Sequence, residues 1–202
     1  MHVLPYAGAV CPVCGTSNIQ LRNESHQLPC GSVLAERFLV GYALGEGGFG
    51  ITYVGWDLER NRKIAIKEYY PDGIVARDAR NHLTIVPLRG KSQSDFVAWR
   101  NRFAREAQTR ASLAGIPNIV TVREYFAENN TAYIVMDFVE GQTLRQLAES
   151  NGGRLSAGEV LRMMTPVMSA LAQVHEQGLL HRDISPDNII RQPDGSSRKI
   201  LF

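Results

Sequence analysis

Asp183 and Asn188 stand five residues apart in His181-Arg182-Asp183-Ile184-Ser185-Pro186-Asp187-Asn188. A carboxylate there could orient a hydroxyl and accept its proton, and an amide oxygen could ligate a hard cation such as Mg2+. Upstream, Gly45-Glu46-Gly47-Gly48-Phe49-Gly50 has the spacing G-x-G-x-x-G. Glycines let a backbone approach phosphate oxygens and present N–H groups to them. The plain alternative is a glycine-rich hairpin turn. A dinucleotide-binding turn is disfavoured, because it needs a following helix and Ile51-Thr52-Tyr53-Val54 reads as a strand. Lys67 follows Ile64-Ala65-Ile66. In strand phase it points away from Ile66 and under the glycine-rich turn, where an ammonium could hold phosphates. A solvated edge lysine is the alternative. Glu106 adjoins Phe103 and Ala107 on one helix. It could pair with Lys67, or form an i,i+4 surface pair with Arg110 worth about 0.3 kcal/mol.

These groups need a scaffold, and the chain supplies signals for one. Phe38-Leu39-Val40, Ile51 to Val54 and Lys63 to Tyr69 are strand-like, and Pro71-Asp72-Gly73 breaks the third. Asn81-His82 before Leu83-Thr84-Ile85-Val86 suggests a small extra hairpin. Phe96, Trp99, Phe103, Ala107 and Ala111 recur at helical spacing over Ser94 to Ala114, and Gly115 and Pro117 end that helix. Val120 to Phe126 and Ala132 to Phe138 read as two more strands joined through Glu128-Asn129-Asn130. A short helix over Thr143 to Ser150 and a longer one over Ser156 to Gln177 follow, the latter with a Ser156…Glu159 capping box. Its expected apolar stripe is Val160, Met164, Val167, Leu171 and Val174. Pro166 implies a kink or a later start. Strands followed by helices imply an α+β chain in two lobes.

Composition sets wider bounds. The 202 residues are 44% hydrophobic and 21% charged, and 22 basic against 20 acidic side chains leave a net charge of +2. This is globular composition, with no basic run to suggest a nucleic-acid partner. No stretch nears the roughly 20 apolar residues that span a bilayer, and the first residues lack a signal-peptide pattern, so a cytoplasmic location is expected. Oligomeric state is not encoded in any recognisable pattern. Residues 1–33 hold all three cysteines. They read as a separate arm in which Cys11, Cys14, His26 and Cys30 have the spacing of a candidate zinc knuckle. A half-site or ordinary thiols are the alternatives.

Taken in order, Gly-Glu-Gly-Gly-Phe-Gly-Ile-Thr-Tyr (45–53), Ile-Ala-Ile-Lys-Glu-Tyr-Tyr-Pro (64–71) and His-Arg-Asp-Ile-Ser-Pro-Asp-Asn-Ile (181–189) resemble a eukaryotic-type (Hanks-type) serine/threonine protein kinase of bacteria. The resemblance covers about residues 34–202. It implies an N-lobe of about 34–138, with a five-stranded antiparallel sheet and one helix, and a partial helical C-lobe of about 139–202. It implies ATP and Mg2+ as cofactors and a protein as acceptor. Lys67 would bind phosphates, Glu106 would pair with it, Asp183 would be the base and Asn188 a Mg2+ ligand. The glycine-rich segment 45–50 would cover the phosphates. Thr52 and Ala65 would flank adenine, Met136 would lie behind it, and the Asp137 and Val139 backbone would hydrogen-bond it.

Three departures qualify the resemblance. Thr52 stands where many such kinases have the valine that covers adenine. Ser185 stands where most such kinases have a lysine. The Asp-Phe-Gly triplet, activation loop and substrate platform are not among these 202 residues. The expectation is therefore of an incomplete catalytic unit, exposed apolar helix faces included. The alternatives are a nucleotide-binding pseudokinase or scaffold, and an inactive kinase fragment.

Overall fold

The computed structural model describes residues 23–88, 90, 93–181, 183–193 and 198–200. Cys11, Cys14 and Arg182 lie outside the described residues. Two compact units result: residues up to 108 with 123–138, and residues 109–122 with 139–202.

The first unit is built on an antiparallel sheet. Its strands are β1 (Val33–Leu34), β2 (Phe38–Gly47), β3 (Gly50–Asp57), β4 (Arg62–Tyr69), and, later in the chain, two more. A side hairpin, β5 (Val75–Arg77) and β6 (Ile85–Pro87), follows β4. Helix α1 (Gln93–Ala111) leads to β7 (Val122–Glu128) and β8 (Thr131–Asp137). The sheet order is β1-β2-β3-β4-β8-β7. The five long strands match the expectation, and the two-residue β1 adds a sixth. Asn129 and Asn130, at φ 52° and 58°, make the two-residue turn between β7 and β8 in the left-handed conformation that such hairpins favour.

Strand β4 sits centrally, and Ile64, Ala65 and Ile66 are all buried. Two covered faces explain the unbroken apolar run. Phe96, Phe103 and Ala107 of α1 are buried, and Tyr69 packs its ring 5.7 Å from Phe96 and 5.4 Å from Phe103. Trp99 is 44% exposed and Ala111 is exposed, contrary to the expected stripe. At 100° per residue these two lie roughly 60° to either side of the line through Phe96, Phe103 and Ala107. They flank the buried face instead of forming it.

The boundary drawn at residue 33 on composition does not coincide with a boundary in packing. Leu28 is fully buried, and the backbones of Gly31 and Ser32 bond to Val40 of β2. Residues 23–32 are thus part of the first unit.

The second unit comprises β9 (Gln142–Thr143), α2 (Leu144–Ser150), α3 (Ala157–Glu176), β10 (Ile189–Arg191) and β11 (Arg198–Ile200), with a small sheet ordered β11-β10-β9. Both helices begin with full capping boxes, Thr143 with Gln146 and Ser156 with Glu159. The later start considered for α3 is therefore excluded, and Pro166 lies inside the helix. Its buried residues are Met163, Val167, Ala170 and Val174, while Val160 is 39% exposed. The face is turned roughly 50° from the expected stripe, with Met164 and Leu171 at its margin. Ala170 on the buried line lets neighbours approach closely, which a search for large apolar residues overlooks. Leu113, Ile119, Val167, Ala170, Val174 and Ile189 form the core of this unit.

Candidate active site

The glycine-rich segment is the hairpin that joins β2 to β3. Gly47 pairs with Gly50, which leaves Gly48 and Phe49 as a two-residue loop with Phe49 exposed. Gly48 and Phe49 accept backbone hydrogen bonds from Asp72 and Tyr70, both at 3.2 Å. Gly50 has a packing reason to be glycine: a Cβ there would lie 2.3 Å from the Glu68 carbonyl oxygen. Gly45, Gly47 and Gly48 have none, since a Cβ on any of them would meet nothing within 4 Å. Their φ angles are not positive either. Fold requirements therefore account for one glycine of the four, and the other three keep the outer surface of the hairpin open. Glu46 points its carboxylate to His26 Nε2 at 2.8 Å and Gln27 Nε2 at 3.2 Å. The His26 bond first, then Gln27, holds the Glu46 carboxyl below its ordinary range.

Register sorts the next residues by face. Thr52 pairs with Lys67, Ala65 with Met136, and Lys67 with Ile134. Directly paired residues share a face, and alternate residues of a strand do too. Thr52, Ala65, Lys67, Tyr69 and Met136 therefore lie on one face, the face on which Tyr69 meets α1. Lys67 is half-buried there. Glu106 lies on α1 and pairs with Arg102 at 3.2 Å. Arg102, one turn N-terminal, is thus one i,i+4 partner of Glu106, and the Arg110 side chain lies outside the described residues. The Asp137 carboxylate receives two hydrogen bonds from Arg123, at 2.8 and 2.6 Å. Val139, where the second unit resumes, is half-buried.

The opposite face carries a buried polar cluster that the sequence did not reveal. Glu68, with no exposed surface, accepts from Arg77 at 3.1 and 2.7 Å, from the Tyr53 hydroxyl at 2.8 Å and from the Tyr133 hydroxyl at 3.1 Å. Burial drags the Arg77 guanidinium down, and the Glu68 bonds more than reverse this. Burial and then the Glu68 charge push both tyrosine hydroxyls far up.

In the second unit, Asp183 and Asn188 come together. The Asn188 amide nitrogen donates to the Asp183 carboxylate at 2.8 Å and to its carbonyl at 3.0 Å. The Asp183 N–H donates to His181 Nδ1 at 3.2 Å, and His181 is buried. An accepting Nδ1 places the ring proton on Nε2. Buried Ile189 anchors the segment immediately after Asn188. Arg145, at the start of α2, grips Asp187 through two bonds of 2.5 and 2.8 Å, and its N–H donates to the Pro186 carbonyl. Nothing in the sequence flags Arg145, which is 42 positions from its partner. Ser185 accepts from the Asn188 N–H, closing the turn between them.

Of the four candidate zinc ligands, His26 is committed to Glu46 and the Cys30 thiol donates to the Gly41 carbonyl at 3.3 Å. Burial first raises that thiol. Among the described residues no cluster of His, Cys, Asp or Glu is arranged to hold a metal ion. Zinc thus has no support among the described residues, which leave out Cys11 and Cys14.

Residues 38–201 match the protein kinase domain family, and the chain belongs to it. It is 34% identical over 160 residues to serine/threonine-protein kinase PrkC of Bacillus subtilis, covering 79% of this chain and 21% of that protein. It is 32% identical over 193 residues to serine/threonine-protein kinase PknD of Protochlamydia amoebophila, covering 90% and 17%. Among solved structures, the apo form of PpkA-294 matches with a TM-score of 0.77 and 35% identity, over 88% of this chain and 61% of that one. The PknI kinase domain of Mycobacterium tuberculosis matches with a TM-score of 0.65 and 26% identity, over 87% and 61%. The chain spans about a fifth of the length of these two curated relatives.

Proposed function

We propose that this chain carries the nucleotide-binding and catalytic-loop region of a serine/threonine protein kinase, which moves the terminal phosphoryl group of ATP to a protein hydroxyl. The observation that carries the reading is the pairing of Asp183 with Asn188 inside one closed turn. In this reading the backbone of Gly45 to Gly50 lies along the phosphates, which the open surface of Gly45, Gly47 and Gly48 permits. Lys67 offers its ammonium to the phosphates, and Glu106 orients it. Thr52, Ala65 and Met136 flank the base, and the backbone of Asp137 and Val139 reads it. Asp183 orients the acceptor hydroxyl and takes its proton.

Asn188 fits a hard cation, because its amide nitrogen is committed to Asp183 and its carbonyl oxygen is the remaining donor. Bound Mg2+ would neutralise charge on the phosphate oxygens. Ser185 in place of the family's lysine removes one cation from the acceptor side and favours, as a second reading, a nucleotide-binding scaffold. No helix among the described residues is long and apolar enough to cross a membrane. We place the region in the cytoplasm, where ATP is available.

Phosphotransfer from labelled ATP to a protein acceptor is the test. Asp183→Asn is expected to lower transfer by about 10²–10⁴-fold, the usual worth of a positioned base. Undiminished transfer would sink the assignment of Asp183. Lys67-dependent nucleotide binding without any transfer would establish the scaffold instead.

A further inference from the structure

Residues Asn23 to Ser32 do more than cover an edge. The β2–β3 ladder slips between Val40 and Ala43. At that slip the Asn23 side chain takes the place of a neighbouring strand. Its amide nitrogen donates to the Gly41 carbonyl at 3.0 Å, and its amide oxygen accepts the Ala43 N–H at 2.9 Å. Cys30 adds a second donor to the same Gly41 carbonyl. On one side of the slip, Gly31 and Ser32 bond to Val40, both at 2.8 Å. On the other side, His26 and Gln27 hold Glu46, which lies between two glycines of the hairpin.

The segment is itself firmly seated. Leu28 is fully buried and its N–H donates to the Tyr53 hydroxyl at 3.0 Å. Arg77, already locked to Glu68, donates to the His26 carbonyl at 2.8 Å. A glycine-rich strand has little side-chain packing of its own, so its position must come from what grips it. Here the grip comes from residues that precede the sheet, and it ends on Glu46.

The geometry points to Asn23–Ser32 as a strap that fixes the glycine-rich hairpin, with Asn23, His26 and Gln27 as positioning residues for nucleotide binding. The nucleotide part rests on the kinase reading, whereas the strap itself does not. None of the three residues touches the nucleotide in this scheme. They act through Ala43, Gly41 and Glu46, by limiting the positions the hairpin samples before a ligand arrives.

The experiment pairs two measurements on the full 202-residue chain. Amide hydrogen exchange is followed without nucleotide, and the dissociation constant of Mg-ADP is measured separately. Asn23→Ala and the double variant His26→Ala/Gln27→Ala are expected to speed exchange over residues 41–47 about tenfold, with Ile64 to Ile66 unchanged. The dissociation constant should rise roughly three- to tenfold. His26→Gln, whose amide can donate where Nε2 does, should stay close to the parent in both. Unchanged exchange at 41–47 overturns the strap, and so does an equal acceleration in β4, which would mean general loosening. Faster local exchange with an unaltered dissociation constant overturns the positioning role. A parent chain that binds no Mg-ADP refutes the nucleotide-binding reading, and the exchange result then decides the strap alone.

Discussion

Arg77→Met is the substitution on which the packing argument is most exposed. Arg77 sends two hydrogen bonds to Glu68 and one each to the carbonyls of His26 and Leu83. Methionine fills much of the volume and supplies none of these. Glu68, with no exposed surface, would keep only the Tyr53 and Tyr133 hydroxyls as donors to a buried charge. Removing one partner of a buried pair costs about 3–5 kcal/mol, because the charge left behind is uncompensated. For a chain of this size that is a fall of roughly 6–20 °C in Tm. Urea unfolding followed by tryptophan fluorescence gives the free energy, and a double-mutant cycle with Glu68→Gln isolates the pair. The double variant should be more stable than the sum of the two single effects predicts, by about 2 kcal/mol. A loss below about 1 kcal/mol for Arg77→Met, or strict additivity in the cycle, would refute the reasoning that buried Glu68 depends on Arg77 as its charge partner.

The glycines separate packing from ligand approach. Gly50→Ala must push β4 backbone aside, given the 2.3 Å approach to the Glu68 carbonyl, and should cost roughly 2–3 kcal/mol in unfolding. Gly47→Ala meets open space and should leave the melting temperature unchanged while weakening Mg-ADP binding several-fold; equal melting losses in both would contradict the distinction. Asp57, buried and bonded twice to Arg37 at 2.8 Å, has its carboxyl held down at about 2, chiefly by that contact. Since the ordinary carboxylate titrates near ~4, its stabilisation is present above that pH and lost as pH falls from ~4 to ~2. It amounts to about 2 kcal/mol, and Asp57→Asn should flatten that acid limb in urea titrations at a series of pH values. Ser156→Ala removes the first half of the capping box on α3 and should cost about 1 kcal/mol, read by urea unfolding of the second unit.

Much of the fold was legible because its signals are local. Short apolar and β-branched runs marked β3 and β4, paired asparagines marked the β7–β8 turn, and Ser156 with Glu159 marked the start of α3. The buried line of each helix was less legible. Residues within about 60° of one another all look apolar in sequence, and only packing decides which of them is covered. Trp99 and Val160 failed for that reason, and Ala170 was overlooked for the same one.

The site divides along the same line. Residue type and order alone led to the proposal that Gly45 to Gly50, Lys67, Glu106, Asp183 and Asn188 serve one chemistry, since each group's donors and acceptors are written in its own side chain or backbone. The tertiary structure decided what holds them. Asn188 on Asp183, Arg145 on Asp187, Arg77 on Glu68 and Asn23 at the slip in β2 are contacts between residues distant in the chain or satisfied by its folding. A polar side chain in sequence does not name its partner. Burial does, because each hydrogen-bonding group withdrawn from water must find one nearby.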